Sequence, residues 1–278
     1  MNCESNTSMD LTGKVVLITG AGQGLGRHFS TVLARAGATV VATSIKSEMN
    51  LLTDLVDEIT KNGGGAFAFD LDLKDTQNFE NKINEIISKT EHIDVLINNA
   101  GISYYTKFFD IQEKDWDAHL DVNLKGAFFL SKIVAKHMVD NKINGSIVNI
   151  GSVAGSQAKK YALPFCVSKA GLHHLTKIMA YELAHHGIRV NCISPGLYPS
   201  PRVKDYIESA AGKNMVDQIP LKRPGKYDEL NGALLLLASD ASSYMTGSIV
   251  EVDGGFSIDI FLKEDFENNK TNEFFKDY

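Results

Sequence analysis

Short apolar runs alternate with amphipathic helical patterns along most of this 278-residue chain. The strand-like runs cover residues 14–19, 39–43, 66–69, 95–97, 147–150, 190–193 and 249–252. Apolar residues recur at helical spacing at 25–36, 47–62, 79–87, 116–139, 170–184 and 230–238. Successive strands joined by helices run parallel, and the helices then cover both faces of the sheet. The alternation therefore predicts a single doubly wound α/β domain with a mostly parallel, seven-stranded sheet.

The domain is expected to span residues 11–256, because no internal repeat or second group of linker residues interrupts the alternation. Residues 1–10 are polar and are predicted to form a flexible leader. Residues 257–278 carry aromatic side chains without a clear period and are predicted to form a tail. Residues 197–224 hold four of the chain's six prolines, which predicts an irregular insertion over the carboxyl edge of the sheet.

Composition argues against several classes of function. The net charge is −6 and no long run of Lys or Arg occurs, which disfavours a nucleic-acid surface. No apolar stretch approaches the roughly 20 residues that a membrane span requires. The three cysteines form no Cys-x-x-Cys pair, as is typical of a reducing compartment. We therefore expect a cytoplasmic protein that binds a small molecule, with neither a nucleic acid nor a membrane as its partner.

A glycine-rich turn joins the first strand-like run to the first helical segment. Such a turn lets a diphosphate approach bare backbone, and the following helix N-terminus offers free N–H groups and partial positive charge. Its place between a buried strand and an amphipathic helix predicts a dinucleotide site. The residues assigned to this site are Gly20, Gln23, Gly24, Leu25 and Gly26.

Further motifs follow the turn in a fixed order. They are Asn98-Asn99-Ala100-Gly101, Asn123, Gly151-Ser152, Phe165, Ser168-Lys169 and Pro195-Gly196. Together with the turn they resemble the short-chain dehydrogenase/reductase family over about residues 9–256, in particular its sugar-alcohol and oxo-acyl reductases. The resemblance implies a Rossmann domain and an oxidoreductase that transfers a hydride between NAD(P) and a secondary alcohol or ketone. It also implies a homo-oligomer, either a tetramer or a dimer.

In that family, the end of the second strand selects between the two cofactors. An acidic residue there holds the 2′-hydroxyl of NAD and repels the 2′-phosphate of NADP. The resemblance places Ser44 at this position, followed by Lys46, and no carboxylate stands beside them in the strand register. NADP and NAD both stay open, with a preference for NADP.

The resemblance assigns further cofactor contacts along the carboxyl edge of the sheet. The pair Asp72-Leu73 matches the residues that meet the adenine ring, and Asp70 is an alternative by register. Small residues after the fourth strand let the cofactor lie close, and a turn after the sixth strand lies beside the nicotinamide. These positions are Asn99, Ala100 and Gly101, then Pro195, Gly196 and Ser200. The segment 197–224 then contains the substrate lid.

The catalytic positions match the family at three of four places. In the family a serine steadies the substrate oxygen, a tyrosine exchanges the proton, and a lysine binds ribose and lowers the tyrosine pKa, while an asparagine holds a water. Ser152, Lys169 and Asn123 match these roles, but Phe165 occupies the tyrosine position. A phenyl ring cannot exchange a proton, and a general acid–base group typically contributes ~10²–10⁴-fold to the rate.

Three interpretations of Phe165 remain open. It is an introduced change in an ordinary enzyme, or a natural residue of a catalytically impaired dinucleotide-binding scaffold or sensor, or another group replaces the missing tyrosine. Tyr161 is the candidate replacement, although it would be displaced by about 5.4 Å if the segment were helical. No metal site is expected, since the pairs His173-His174 and His185-His186 lack metal-binding spacing and are predicted to lie on helix surfaces.

Overall fold

The sheet of this protein contains seven parallel strands in the order β3-β2-β1-β4-β5-β6-β7. The structure, a computed structural model, describes residues 9–200 and 204–258. The strands are β1 (Val15–Thr19), β2 (Thr39–Ser44), β3 (Ala66–Asp70), β4 (Val95–Asn98), β5 (Ser146–Ile150), β6 (Arg189–Pro195) and β7 (Ile249–Val252). The predicted doubly wound parallel sheet is confirmed.

Helices cover both faces of the sheet. They are α1 (Gly24–Arg35), α2 (Met49–Lys61), α3 (Phe79–Thr90), α4 (Glu113–Leu120), α5 (Ala127–Asp140), α6 (Leu163–Leu183), α7 (Lys204–Glu208), α8 (Ala210–Val216) and α9 (Asn231–Ala238). Side chains of β1 alternate between two cores, because successive residues of a strand point to opposite faces. Val16 and Ile18 pack with α1, α2 and α9. Val15 and Leu17 pack with α3, α5 and α6 on the other face.

The order of strands reverses between β1 and β4, which are hydrogen-bonded neighbours. β1 continues to β2 on one side, and β4 continues to β5 on the other. In open parallel sheets this switch point forms a crevice at the carboxyl ends of the strands, and ligands bind there. The fold therefore directs the search for a functional site to the residues that follow Thr19 and Asn98.

Three helical segments differ from the sequence prediction. The segment predicted as one helix over 116–139 consists of α4, a π-helical stretch over Asp121–Gly126, and α5. α6 begins at Leu163, seven residues before the predicted start, and Pro164 lies in its first turn, where a missing N–H costs little. The region 197–224, predicted to be irregular, contains two short helices, α7 and α8. Their sequences show no strong helical periodicity of apolar residues.

The predicted leader and tail fall mostly outside the described residues, which exclude 1–8 and 259–278. Within the part of the chain that the structure describes, no helix is both long and apolar enough to cross a bilayer.

Candidate dinucleotide and catalytic site

The glycine turn forms a backbone cradle between β1 and α1. Gly20 and Gly24 have φ angles of +66° and +56°, which residues with a side chain rarely adopt. A Cβ on Gly26 would lie 2.1 Å from the Gly20 carbonyl oxygen, so only glycine lets the helix approach the strand this closely. Gln23 precedes α1 without a side-chain cap, which leaves its first N–H groups available. This cradle fits a diphosphate.

The segment after β4 lies directly against the glycine turn. The side-chain amide of Asn99 donates to the carbonyl oxygens of Thr19 at 2.8 Å and Gly20 at 3.2 Å. A Cβ on Gly20 would lie 2.9 Å from the Cα of Ala100. The two motifs, about 80 residues apart in sequence, therefore meet at the switch point of the sheet, where small residues keep the crevice open.

Asn123 lies in the π-helical stretch and is 1% exposed. Its Oδ1 accepts from the Ile102 N–H at 2.8 Å, and its Nδ2 donates to the Ile102 carbonyl at 2.9 Å and to the Ser168 hydroxyl at 3.0 Å. The side chain therefore fixes the loop after β4 to the start of α6. Single π-helical turns inside helices are frequent at functional sites.

Lys169 is buried on α6, and its Nζ donates to the carbonyl oxygen of Ile150 at the end of β5, at 2.7 Å. A Cβ on Gly101 would lie 3.2 Å from Asn123 Oδ1 and 3.6 Å from Lys169 Nζ, so these three residues converge. Burial lowers the pKa of Lys169 from 10.5 to about 8. The crevice thus contains a buried amine whose charged form is less favoured than that of an exposed lysine.

Phe165 is half-buried one helical turn before Lys169, and its ring centroid lies 5.9 Å from the Lys169 Nζ. Ser152 follows β5, and its hydroxyl oxygen accepts from the Ala154 N–H at 3.1 Å. A hydroxyl has one donor and two acceptor positions, so the Ser152 proton can still be donated to a substrate oxygen. Ser152 can therefore bind and polarise a substrate oxygen, but Phe165 offers that oxygen no proton.

Tyr161 lies outside the helix, before the start of α6. Its φ angle is +67°, its side chain is 47% exposed, and its carbonyl oxygen accepts from the Thr106 N–H at 2.8 Å. The sequence argument placed Tyr161 one helical turn from Phe165. Because the backbone at Tyr161 is not helical, the helical spacing to Phe165 does not apply. The hydrogen bond from Thr106 holds Tyr161 in a loop instead.

A carboxylate that the sequence analysis did not assign lies beside the end of β2. Glu48, just before α2, accepts hydrogen bonds from the Ser44 hydroxyl and from the Gln23 Nε2, the latter at 3.0 Å. The strand register at Ser44–Lys46 itself carries no carboxylate, but the turn that follows brings the Glu48 carboxylate to the Ser44 hydroxyl. The spacing of Glu48, four residues after Ser44 and at the start of a helix, was the available signal. Lys46 is exposed.

The two aspartates considered for the adenine position have different partners. Asp70 accepts from the Lys82 ammonium at 2.8 Å, and this hydrogen bond is the main cause that lowers the Asp70 pKa. The Oδ1 of Asp72 accepts from the Lys74 N–H at 2.9 Å, while the neighbouring Leu73 is buried. Because the Asp70 carboxylate is bound by the Lys82 ammonium, the Asp72–Leu73 turn is the better candidate for the adenine position.

The end of β6, predicted to lie beside the nicotinamide, packs against the segment after β7. The Gly196 N–H donates to the Val252 carbonyl at 3.1 Å, and a Cβ on Gly196 would lie 2.7 Å from the Asp253 Cα. Pro195 is buried and Ser200 is half-buried. Residues 201–203 of the predicted lid lie outside the described residues, as do the side chains of Lys204 and Tyr206.

The prediction that His173 lies on a helix surface is wrong, although its neighbour His174 is exposed. A Cβ on Gly151 or Gly155 would lie 2.5 Å or 2.6 Å from the His173 ring. Burial lowers the pKa of His173. The imidazole therefore packs beneath the Ser152 loop, in space that two glycines leave open. Among the described residues no group of three His, Cys, Asp or Glu side chains could hold a metal ion.

Comparison with known proteins agrees with this geometry. The family model described as enoyl-(acyl carrier protein) reductase matches residues 20–257. The 3-oxoacyl-[acyl-carrier-protein] reductase of Thermotoga maritima is 40% identical, over 90% of this chain and 100% of the relative. The 2-dehydro-3-deoxy-D-gluconate 5-dehydrogenase of Escherichia coli is 32% identical, over 90% of this chain and 98% of the relative.

Solved structures share the fold over most of their length. A gluconate 5-dehydrogenase from Burkholderia cenocepacia, in complex with NADP and tartrate, matches with a TM-score of 0.86 and 32% identity, over 91% of this chain and 98% of that chain. A 7α-hydroxysteroid dehydrogenase, in complex with NADH and 7-oxoglycochenodeoxycholic acid, matches with a TM-score of 0.85 and 34% identity, over 90% of this chain and 96% of that chain.

Proposed function

Since this chain belongs to the short-chain dehydrogenase/reductase family, we propose that it transfers a hydride between a nicotinamide cofactor and a secondary alcohol or ketone. The observation that carries the proposal is the convergence of Gly101, Asn123 and Lys169 beside the glycine turn. One crevice thus combines a diphosphate cradle with a buried cation and a serine hydroxyl. This combination suits a bound dinucleotide next to a polarised oxygen.

Different residues of the crevice bind the cofactor and the substrate in this proposal. The backbone amides after Thr19 hold the diphosphate, and the Lys169 ammonium hydrogen-bonds the ribose next to the nicotinamide. Ser152 donates to the substrate oxygen and orients it. When bound, the nicotinamide supplies or accepts the hydride. Asn123 fixes the loop after β4, so that Gly101 and Lys169 keep their spacing.

Phe165 removes the group that would exchange the proton in this reaction. In its absence the proton must come from water or from Lys169, and the rate falls by the ~10²–10⁴-fold that a general acid–base group contributes. Cofactor binding is retained, because the cradle and Lys169 are intact. We therefore propose an oxidoreductase whose turnover is limited at the proton step.

The test is the substitution Phe165→Tyr, which restores a phenol one helical turn before Lys169. We expect reduction of a panel of ketones by NADH or NADPH to rise by at least about 100-fold, with little change in the dissociation constant of the dinucleotide. Phe109→Tyr is the matched control, since Phe109 is 94% exposed and gains the same hydroxyl at the surface. It should leave both quantities unchanged.

The alternative function is a dinucleotide-binding scaffold or sensor with impaired catalysis. The intact cradle beside Phe165 favours it, because binding and proton transfer depend on different residues. If Phe165→Tyr binds the dinucleotide but gains no activity on any ketone, the scaffold is the better description. If neither protein binds NADH or NADPH, both forms of the proposal fail.

The finer assignments remain predictions within this proposal. The lack of a carboxylate at Ser44–Lys46 and the presence of Lys46 favour NADP, whereas the Glu48 carboxylate opposes that preference. A homo-oligomer, tetramer or dimer, is supported by exposed apolar side chains on α5 and α6, with Phe128 and Phe129 each 37% exposed and Tyr181 87% exposed. Light scattering of the purified chain measures its mass. The cytoplasmic location rests on the cysteine content and on the lack of a membrane-length apolar stretch in the sequence.

A further inference from the structure

The loop between Ser152 and α6 carries a lysine whose ammonium group is partly removed from water. Lys159 is half-buried, and burial is the main cause that lowers its pKa. Among the residues that the structure describes, no carboxylate forms an ion pair with Lys159. Removing an ammonium from water without a counter-ion is costly, and such groups are usually paired in proteins. The charge of Lys159 is therefore suited to a bound anion.

Lys159 lies against the segment that follows β7. Its Nζ is 5.4 Å from the centroid of the Phe256 ring. The Gln157 side-chain amide donates to the Phe256 carbonyl at 3.0 Å, and the Gln157 N–H donates to the Val153 carbonyl at 2.9 Å. These bonds tie the loop after Ser152 to Phe256 at the place where the lysine lies. The ring attracts the ammonium weakly but does not neutralise its charge.

The position of Phe256 places the lysine at the carboxyl edge of the sheet. A Cβ on Gly196, after β6, would lie 2.7 Å from the Cα of Asp253, after β7, so these two segments pack together. Ser152 follows β5, and the carboxyl ends of β5, β6 and β7 share one edge because the three strands are parallel neighbours. The glycine turn follows β1, in the other half of the strand order. Lys159 therefore lies on the side of Ser152, where the substrate is expected, and not on the side of the diphosphate cradle.

The acidic side chains nearest to Phe256 in sequence are bound by other donors. The Asp253 Oδ1 accepts from the Gly255 N–H at 2.8 Å, and its Oδ2 accepts from the Ser257 N–H at 2.6 Å. The Glu251 Oε2 accepts from the Ser257 hydroxyl at 2.7 Å. Within the described part of the chain, neither acid forms an ion pair with Lys159. The loop thus presents positive charge that the neighbouring acids leave uncompensated.

We propose that the Lys159 ammonium binds a carboxylate of the substrate, so that the secondary alcohol or ketone accepted by this chain is a hydroxy acid or an oxo acid. This inference rests on the proposed function, since Ser152 orients the reacting oxygen of the same substrate. Hydrogen bonds between an ammonium and a carboxylate are about twice as strong as neutral ones. One lysine neutralises one carboxylate, whereas a phosphate carries up to two negative charges at neutral pH. Lys159 thereby determines specificity and takes no part in proton or hydride transfer.

The experiment measures the dissociation constants of ketones by isothermal calorimetry, with the chain saturated by whichever of NADH and NADPH it binds more tightly. Pyruvate, acetoacetate and levulinate, in which the ketone and the carboxylate are separated by different lengths, are each compared with their methyl esters. Dihydroxyacetone phosphate is a further ligand, which tests for a phosphate instead of a carboxylate.

Four proteins are compared, namely the unaltered chain, Lys159→Met, Lys159→Arg and Lys160→Met. Methionine keeps an unbranched apolar stem but removes the charge, and arginine retains the charge. Lys160 is exposed, and its Nζ lies 5.1 Å from the centroid of the Tyr161 ring, so its replacement controls for the loss of one positive charge in the same loop. The dissociation constant of the dinucleotide for each protein verifies that the fold and the cradle are intact.

We expect at least one of the three oxo acids to bind the unaltered chain about tenfold more tightly than its methyl ester. Lys159→Met should weaken binding of that acid by about tenfold and change binding of the ester by less than about twofold, whereas Lys159→Arg should retain the preference. Lys160→Met should change the preference by less than about threefold, because an exposed charge is screened. In proteins that also carry Phe165→Tyr, Lys159→Met should raise KM for the acid and leave kcat unchanged, as expected for binding that is equal in the ground state and the transition state.

Three results overturn the inference while dinucleotide binding, and with it the proposed function, stands. The first is that no oxo acid binds more tightly than its ester. The second is that Lys159→Met and Lys160→Met weaken binding of the acid equally. The third is that dihydroxyacetone phosphate binds more tightly than all three oxo acids. Failure of the unaltered chain to bind either dinucleotide would instead remove the proposed function itself, and the inference with it.

Discussion

The ammonium nitrogen of Lys169 lies 5.9 Å from the centroid of the Phe165 ring. At this distance the face of a phenyl ring attracts a cation weakly, so the ring partly replaces the environment that a phenol would give the lysine. It supplies no proton and no hydrogen bond. The buried cation therefore lies beside a ring that has no proton to exchange.

The buried Lys169 should make stability depend on pH. Burial lowers its pKa from 10.5 to about 8, so between these values the unfolded chain holds a proton that the folded chain has released. Its contribution to the free energy of unfolding therefore rises from pH 8 to 10.5, and at neutral pH burial of the charge costs about 3 kcal/mol. Lys169→Met should be more stable by about 1–3 kcal/mol in urea unfolding at pH 7, and this advantage should vanish near pH 10.5. A pH-independent difference between the two proteins contradicts the assignment.

Substitution of Gly26 should disrupt the cradle. Gly26→Ala places a methyl group 2.1 Å from the Gly20 carbonyl oxygen of the turn and 2.5 Å from the Nδ2 of Asn99, which follows β4. We expect a loss of about 3 kcal/mol in the free energy of unfolding, together with loss of dinucleotide binding. Gly232 in α9 is the control, because a Cβ there meets nothing within 4 Å. Gly232→Ala should gain about 0.5–1 kcal/mol and bind as before.

Removal of the Asn123 side chain should loosen the loop after β4. Asn123→Ala leaves the Ile102 N–H and carbonyl without their partner, a loss of about 2 kcal/mol locally. Hydrogen exchange at the Ile102 amide should accelerate by about tenfold or more, while amides within β4 change little. Asn141→Ala is the control, since Asn141 makes its side-chain contacts at the exposed end of α5. Equal exchange of Ile102 in both variants would be evidence against the role of Asn123.

Tyr161 should not act as a substitute acid. Its exposed side chain and its position before the helix argue that Tyr161→Phe will change any residual reductase activity by less than about twofold. The comparison is made in the chain with Phe165, which has no phenol at position 165. A loss of activity of about 100-fold would show that Tyr161 replaces the missing tyrosine.

Local sequence determined the architecture of this protein. Buried strands such as Val15–Thr19 and the helical periods between them predicted a parallel sheet, because both signals depend on neighbouring residues only. The glycine turn could be recognised from the sequence for the same reason, since the positive φ angles at Gly20 and Gly24 require glycine at those two positions. The lack of a hydroxyl at Phe165 was equally visible, because it is a matter of side-chain chemistry.

Tertiary structure decided the features that depend on residues distant in sequence. Glu48 meets Gln23 across 25 residues, and Lys169 reaches the Ile150 carbonyl across 19. His173 is buried because Gly151 and Gly155 leave room for its ring, which helical spacing alone could not reveal. The sequence specified which elements form and which chemical groups they carry. How those groups face one another, and therefore the charge that a cofactor meets, follows from the packing of the sheet and its helices.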